Sequence, residues 1–320
     1  MSITLDDFQR AQENLKRIIH KTPLLHSRPL SEQANNNIYL KLENLQVTGS
    51  FKVRGAYNKI TNLTDEQKTK GVVTHSAGNH GIGTAYAASL SGVDATVVLP
   101  ETPNPVKKQK IEEYGATTID HGKNSSEMFE KVLEYADKGS SIIHPFDDPY
   151  TIAGQGTVGL EILDALPDVD VIVVPVSGGG LISGIATAVK LSKPEVKVIG
   201  VNAEGAQAMS RSLAVGKPVE VDDINTIADG LMASKPGDLN FKYTQKYVDD
   251  LVIVPEEDIA KTVRIMSDDT KVVAEPSGAA ALAAVLHGLI NEKGKNVVTI
   301  VSGGNIDPSF YVDLLSKENK

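Results

Sequence analysis

The sequence predicts an α/β protein built from two open, mostly parallel sheets with helices on both faces. Three observations carry this. Short apolar runs, such as residues 169–176 and 297–301, lack polar alternation, as in strands buried on both faces. Helix-period segments separate these runs, so strand and helix alternate along the chain. At 320 residues the chain exceeds the usual size of one hydrophobic core, so two domains are expected.

Each element follows from local signals. Thr4 and Asp7 form a capping pair for a helix whose apolar residues Phe8, Ala11, Leu15, Ile18 and Ile19 recur at helical spacing. Thr22-Pro23 stops it. Residues 38–43 read as the first strand, and a helix opening in residues 49–55 runs to about Asn62. Thr64 with Gln67 caps a short helix. A strand at 72–75, a glycine turn and a helix through Ala85 to Leu90 follow. The pattern continues with a strand at 95–99, a helix at 105–114, a strand at 117–120, a helix near 126–136 and a strand at 141–144. Asp147-Asp148-Pro149 marks a return. Beyond it come a helix to about Ala165, the strand 169–176, a helix to Leu191, and strands at 196–201, 251–254 and 297–301. Helices are expected near 256–271 and 277–290. The pattern predicts a large unit of residues 1–69 and 148–320, into which a smaller unit, residues 70–147, is inserted.

Composition narrows the function classes. A formal net charge of -9 argues against a general nucleic-acid or acidic-membrane binder. With no cysteine, disulfides, thiolate metal sites and cysteine nucleophiles are excluded. The seven histidines show no metal-ligand spacing, and no Gly-x-Ser-x-Gly elbow is present. The first residues lack the basic start and apolar run of a signal peptide, and no apolar run is long enough to span a bilayer. A cytoplasmic protein acting on a small molecule is the expectation.

The chemistry centres on Gly49-Ser50-Phe51-Lys52-Val53-Arg54-Gly55. Lys52 lies between an aromatic ring and a β-branched side chain, with glycines at both edges. Burial disfavours an ammonium, so such a lysine loses proton affinity and becomes a nucleophile able to form a Schiff base with an aldehyde cofactor. The bland alternative is a helix-face lysine that reaches water.

Three glycine turns follow apolar strands, where ligands of open α/β sheets bind. Ser76-Ala77-Gly78-Asn79-His80-Gly81 gathers small residues at a helix N-terminus. Ser177-Gly178-Gly179-Gly180-Leu181 bares consecutive N–H groups and forms the better phosphate cradle. Gly178, Gly180 and Gly184, with Glu204 beyond the next strand, also permit a dinucleotide-binding reading. Ser302-Gly303-Gly304-Asn305 offers a hydroxyl that could face a ring nitrogen. His80 reads as a turn residue. Glu275-Pro276-Ser277 reads as a helix start with Ser277 as cap, or as a glutamate beside a cofactor ring.

Together these segments resemble the fold-type-II pyridoxal-phosphate enzymes of the threonine dehydratase and serine racemase group. The matching pieces are Lys41-Leu42-Glu43-Asn44, residues 49–56, Ser76 to Gly81, Ala153-Gly154-Gln155-Gly156-Thr157, Gly178 to Leu181, Ala228-Asp229-Gly230 and Ser302 to Asn305. They occur in the family's order and cover nearly the whole chain. The resemblance implies pyridoxal 5'-phosphate linked to Lys52, with Phe51 against its ring. Asn79 would bind the phenolic oxygen. Gly178, Gly179, Gly180 and Leu181 would bind the phosphate, with Ser177 at the loop's edge, and Ser302 would face the pyridine nitrogen. Ser76, Ala77, Gly78, Asn79 and His80 would hold the substrate carboxylate. The glycine loop then reads as a phosphate cup rather than a dinucleotide motif.

The implied reaction is dehydration and deamination of L-threonine or L-serine. The alternatives are amino-acid racemisation and a non-catalytic ligand-binding protein on the same scaffold. The racemases of the group carry a serine where this chain has Ala77, and a methyl group cannot transfer a proton. The racemase metal-ligand region falls on Asn202, Ala206 and Ala208, so no divalent metal is expected there. Gly81-Ile82 replaces the Ala-Gln usual in threonine dehydratases, and no C-terminal regulatory domain is expected after Ser302. A homo-oligomer, dimer or tetramer, is expected from the resemblance and the base rate of symmetric oligomers.

Overall fold

The computed structural model describes residues 2–76, 78–123 and 125–316. Its ten strands are β1 (Leu24–His26), β2 (Asn37–Leu42), β3 (Val72–His75), β4 (Ala95–Leu99), β5 (Thr117–Asp120), β6 (Ser141–Ile142), β7 (Val171–Pro175), β8 (Lys197–Ala203), β9 (Asp250–Val254) and β10 (Asn296–Val301). One sheet has the order β1-β2-β10-β7-β8-β9 and the other β5-β4-β3-β6. Every pairing is parallel except β1 with β2.

Alternate residues of each central strand feed opposite cores, the period-two consequence of the pleat. Val171 and Val173 join Val297 and Val301 on one face of the large sheet, under the helix Pro276–Leu286. Ile172 and Val174 join Val298 and Ile300 on the other, under the helix Gly180–Ser192. The smaller sheet repeats this with Val72 and Val97 on one face and Val73 and Val98 on the other. Ala56, Ile60 and Leu63, from the helix Lys52–Thr61 and the turn after it, complete the first of those two cores. The lysine helix is thus packed into the smaller sheet's core.

Several expectations change. The first helix, Leu5–Leu15, keeps its Thr4–Asp7 capping box but stops before Ile18 and Ile19, which lie in a turn whose N–H groups both reach the Leu15 carbonyl. β1 is absent from the sequence reading because three residues after Pro23 carry no alternation to detect. Helices Arg28–Ala34, Ala208–Val215, Asp238–Tyr247 and Pro308–Ser316 were likewise not expected. The helix expected over 256–271 is α-helical only over Glu256–Ile265, then turns through a π-helical segment to Lys271, whose φ is 59°. The next helix is capped at Glu275, with Pro276 in its first turn, and not at Ser277. Ser277 Oγ instead accepts the Gly230 N–H at 2.8 Å.

Candidate active site

The site forms where segments distant in sequence meet at the ends of β2, β3, β7 and β10. Gly49, at φ +75°, swings the chain across the end of β10. The Gly304 N–H donates to the Gly49 carbonyl (2.9 Å) and the Phe51 N–H to the Ser302 carbonyl (3.1 Å). Those bonds seat Lys52, the first residue of its helix, beside the Ser302 turn.

Lys52 is half-buried, and its Nζ donates to the Pro145 carbonyl at 2.8 Å. The amine stands 5.2 Å from the centre of the Phe51 ring. Among the described residues it forms no ion pair, and burial pushes its pKa down to about 8. Three histidines line this region. His80 is buried, with Nε2–H donating to the Ile143 carbonyl at 2.9 Å and Nδ1 without a partner. Burial, then the Lys52 charge, holds it well below the ordinary histidine range. Burial and Lys52 push His144 down to about 4; burial and His144 push His75 down to about 4. At neutral pH Lys52 therefore faces neutral imidazoles.

Asn79 opens the helix Asn79–Ser91. Its Nδ2 donates to Glu275 Oε1 (2.6 Å), and its Oδ1 accepts from Asn305 Nδ2 (2.7 Å). Glu275 Oε2 is buried and has no partner. Burial, then the Asp229 charge, pushes the Glu275 carboxyl up to about 7. Ser302 Oγ donates to the Ser277 carbonyl at 3.3 Å. In the expected carboxylate turn, Ser76 Oγ accepts the Gly78 N–H at 3.1 Å. A Cβ at Gly81 would lie 2.5 Å from the Ser76 carbonyl oxygen, so the absent side chain keeps this turn tight. Ala77 lies outside the described residues.

The glycine loop between β7 and the helix Gly180–Ser192 has no space for side chains. A Cβ on Gly178 would stand 2.5 Å from the Phe146 ring, and one on Gly180 2.9 Å from Phe146 Cβ. Gly179, at φ +102°, is the helix N-cap, and a Cβ there would meet Met209 at 2.6 Å. The first N–H groups of this helix have no intrahelical acceptors. Ser177 Oγ accepts the Ala233 N–H at 3.1 Å. In the region that aligns with the racemase metal ligands, where no metal is expected, Asn202 spends both amide atoms internally, on the Val176 carbonyl and the Ser210 N–H.

Sequence reading did not find the cluster behind Lys52. Arg54 is completely buried. Its Nε and Nη2 reach Glu43 at 2.7 and 2.8 Å, and its Nη1 and Nη2 reach Glu161 at 2.7 and 3.0 Å. Lys41 Nζ reaches Glu161 Oε2 at 2.6 Å. Burial opposes each charge. The two carboxylates nonetheless raise Arg54, and Arg54 holds Glu43 below the ordinary carboxylate range. The run Lys41-Leu42-Glu43 reads as a strand end, and only its charges within an apolar strand hint at the network.

These features define a class: an enzyme whose desolvated lysine stands beside a helix N-terminal loop shaped for an anion. They fit pyridoxal phosphate on chemical grounds. Among the described residues the lysine lacks a carboxylate that would hold its proton, the loop leaves no room for a Cβ, and Glu275 Oε2 and His80 Nδ1 are buried without partners. Residues 15–303 match the family described as pyridoxal-phosphate dependent enzyme, and the chain belongs to that family. It is 49% identical over 316 residues to the L-threonine ammonia-lyase of Thermotoga maritima, covering 98% of this chain and 79% of that protein. It is 45% identical over 310 residues to the catabolic L-threonine dehydratase of Staphylococcus aureus, covering 95% of this chain and 90% of that one. The structure of maize serine racemase superposes with a TM-score of 0.94 at 36% identity, covering 98% of this chain and 97% of the other.

Proposed function

We propose that this chain dehydrates and deaminates L-threonine and L-serine to 2-oxobutanoate or pyruvate and ammonia. It is a pyridoxal-phosphate-dependent ammonia-lyase. The observation that carries the reading is the desolvated Lys52 amine, which has no ion-pair partner among the described residues and is joined to the glycine loop through the Pro145–Phe146 turn.

The residue roles are proposals on that basis. Gly178, Gly179, Gly180 and Leu181 hold the cofactor phosphate through backbone N–H groups, with Ser177 at the edge. Phe51 would lie against the ring, Asn79 would bind its phenolic oxygen, and Ser302 would face its nitrogen. Pyridoxal phosphate, when bound, supplies an aldehyde for the substrate amine and a ring that takes up electron density from Cα. The turn at Ser76, Ala77, Gly78, Asn79 and His80 orients the substrate carboxylate. The Lys52 amine accepts the α-proton, for which a pKa near the working pH is suited. Ser302 is a neutral partner, so no carboxylate there favours ring protonation. Overall the substrate loses its α-proton and β-hydroxyl together as one water, and the resulting enamine tautomerises and takes up one water to give the 2-oxo acid and ammonia.

The likeness to maize serine racemase favours a second reading, amino-acid racemisation. It needs a second acid on the face opposite Lys52, and residue 77 provides only a methyl group. Residues 70–147 are proposed as the smaller unit, with the helix Lys52–Thr61 associated with it through their shared core. We further propose a cytoplasmic homo-oligomer without a bound divalent metal; no helix among the described residues is long and apolar enough to cross a membrane. Incubation with L-threonine, L-serine and their D-forms tests the reaction, with a keto-acid assay beside chiral chromatography of the leftover amino acid. Rapid oxo-acid formation from the L-forms with little D-product is expected. Faster conversion of L-serine to D-serine than to pyruvate would overturn the assignment.

A further inference from the structure

The segment from His144 to Asp148 runs between the lysine and the glycine loop, and only its Asp147-Asp148 end carries a turn signal in the sequence. His144 Nδ1 accepts the N–H groups of Phe146 (3.3 Å) and Asp147 (2.8 Å), so the neutral imidazole closes a tight turn. Its ring stands edge-on to the Phe146 ring, with centroids 4.7 Å apart at 85°. The turn aims the Pro145 carbonyl at the Lys52 amine, 2.8 Å away. One residue on, the half-buried Phe146 ring fills the volume that a Cβ at Gly178 would occupy, whereas a Cβ at Gly180 would meet the Cβ and backbone of Phe146. Both ends of the turn are anchored. The Asp147 carboxylate accepts N–H groups of Asp238, Leu239 and Asn240. Asp148 caps the helix Pro149–Ala165 and pairs with Lys59 at 2.7 Å.

We propose that Phe146 is a positioning residue that shapes the glycine loop and couples it to the Lys52 amine through the Pro145 carbonyl. Gly178 is then a glycine for the sake of the ring as well as the ligand: it is the hole into which the Phe146 ring fits. A smaller side chain at 146 would leave the loop free to shift and would open the Lys52–Pro145 contact to water. The inference rests on the reading of Lys52 and the loop as the cofactor site.

A double-mutant cycle on cofactor affinity tests it, with pyridoxal phosphate titrated spectroscopically into the apoproteins of wild type, Gly178→Ala, Phe146→Ala and the double variant. In the presence of Phe146, the added methyl group collides with the ring and weakens binding. With Phe146→Ala, the same methyl group has room. The expected coupling between the two substitutions is about tenfold, within the range for residues in direct contact. A coupling below about twofold, the scatter of independent sites, overturns the proposal. Should Phe146→Ala not fold, as read by far-ultraviolet circular dichroism, Phe146→Leu carries the same cycle. The apoproteins also report without turnover: the pH midpoint for acylation of the Lys52 amine should rise by about one unit in Phe146→Ala as water enters. An unmoved midpoint overturns the coupling to Lys52. Failure of the wild-type protein to bind pyridoxal phosphate would instead sink the cofactor reading itself, so the two failures are distinguishable.

Discussion

Lys52 and Arg54 are two residues apart in the first turn of one helix, and their surroundings are electrostatic opposites. Lys52 has a carbonyl for a partner and neutral imidazoles around it, and it loses proton affinity. Arg54 has two carboxylates and five short hydrogen bonds, and it is held fully charged. Burial is common to both. The partner decides whether a buried cation becomes a reagent or a strut, because only an opposite charge offsets the desolvation penalty. The strut also serves the reagent: Arg54 ties the lysine helix to the end of β2 through Glu43 and to the helix Pro149–Ala165 through Glu161.

The comparison can be broken by experiment. Lys52→Ala has the largest expected effect: oxo-acid formation should fall by roughly 10⁴-fold, the upper end for a positioned proton-transfer group. Its melting temperature should stay within about 2–4 °C of wild type, equivalent to roughly 1 kcal/mol for a protein of this size class. A collapse of stability as large as that of the Arg54 variant would mean that Lys52 is a strut too. Arg54→Ala should do the reverse and destabilise by about 3–5 kcal/mol, since it leaves Glu43 and Glu161 buried beside too little positive charge. Urea unfolding reads this directly, and an unchanged midpoint would show that the network is dispensable.

Titration sharpens the contrast with a smaller effect. In the apoprotein the Lys52 amine should acylate with a midpoint of about 8, below that of surface lysines. Between that pH and the ordinary lysine range, the unfolded chain holds a proton that folded Lys52 has released. Stability from this residue is therefore lowest below about 8 and rises with pH across the window. Lys52→Met should flatten that rise in denaturant midpoints. A midpoint in the ordinary lysine range would show that the amine is solvated.

Glu275→Gln should have the smallest effect, with the opposite sign. Folded Glu275 keeps its proton up to about 7, whereas the unfolded chain releases it lower, so the wild-type apoprotein loses stability as pH rises between those values. The glutamine retains an acceptor for Asn79 and removes the titration, so the loss between about pH 5 and pH 8 should be reduced. Identical pH profiles for the two proteins would assign the carboxyl an ordinary pKa.

Legibility in the sequence follows the range of each interaction. β3, β4 and β5 lie where their apolar runs predict, with the same end residues, because strand period and flanking turns are local. The glycine turns are legible for the same reason. The last strand of the smaller sheet is shorter than its apolar run suggests, stopping at Ile142, because His144 closes the turn that carries Pro145 and Phe146. Ser277 looks like a cap and is not one, because Gly230, 47 positions away, claims its hydroxyl.

By itself, the sequence determined the alternation of strands and helices, the three loops at the strand ends, and the presence of one lysine among apolar neighbours. These depend on backbone period and on residue types that shape turns, which act over a few positions. Only the tertiary structure decided that Lys52 meets the Pro145 carbonyl and Arg54 meets Glu161. The partners lie 93 and 107 positions away. Proton affinity is set by the charges and solvent within a few ångströms of a group, and across such separations those neighbours are chosen by the packing of the fold.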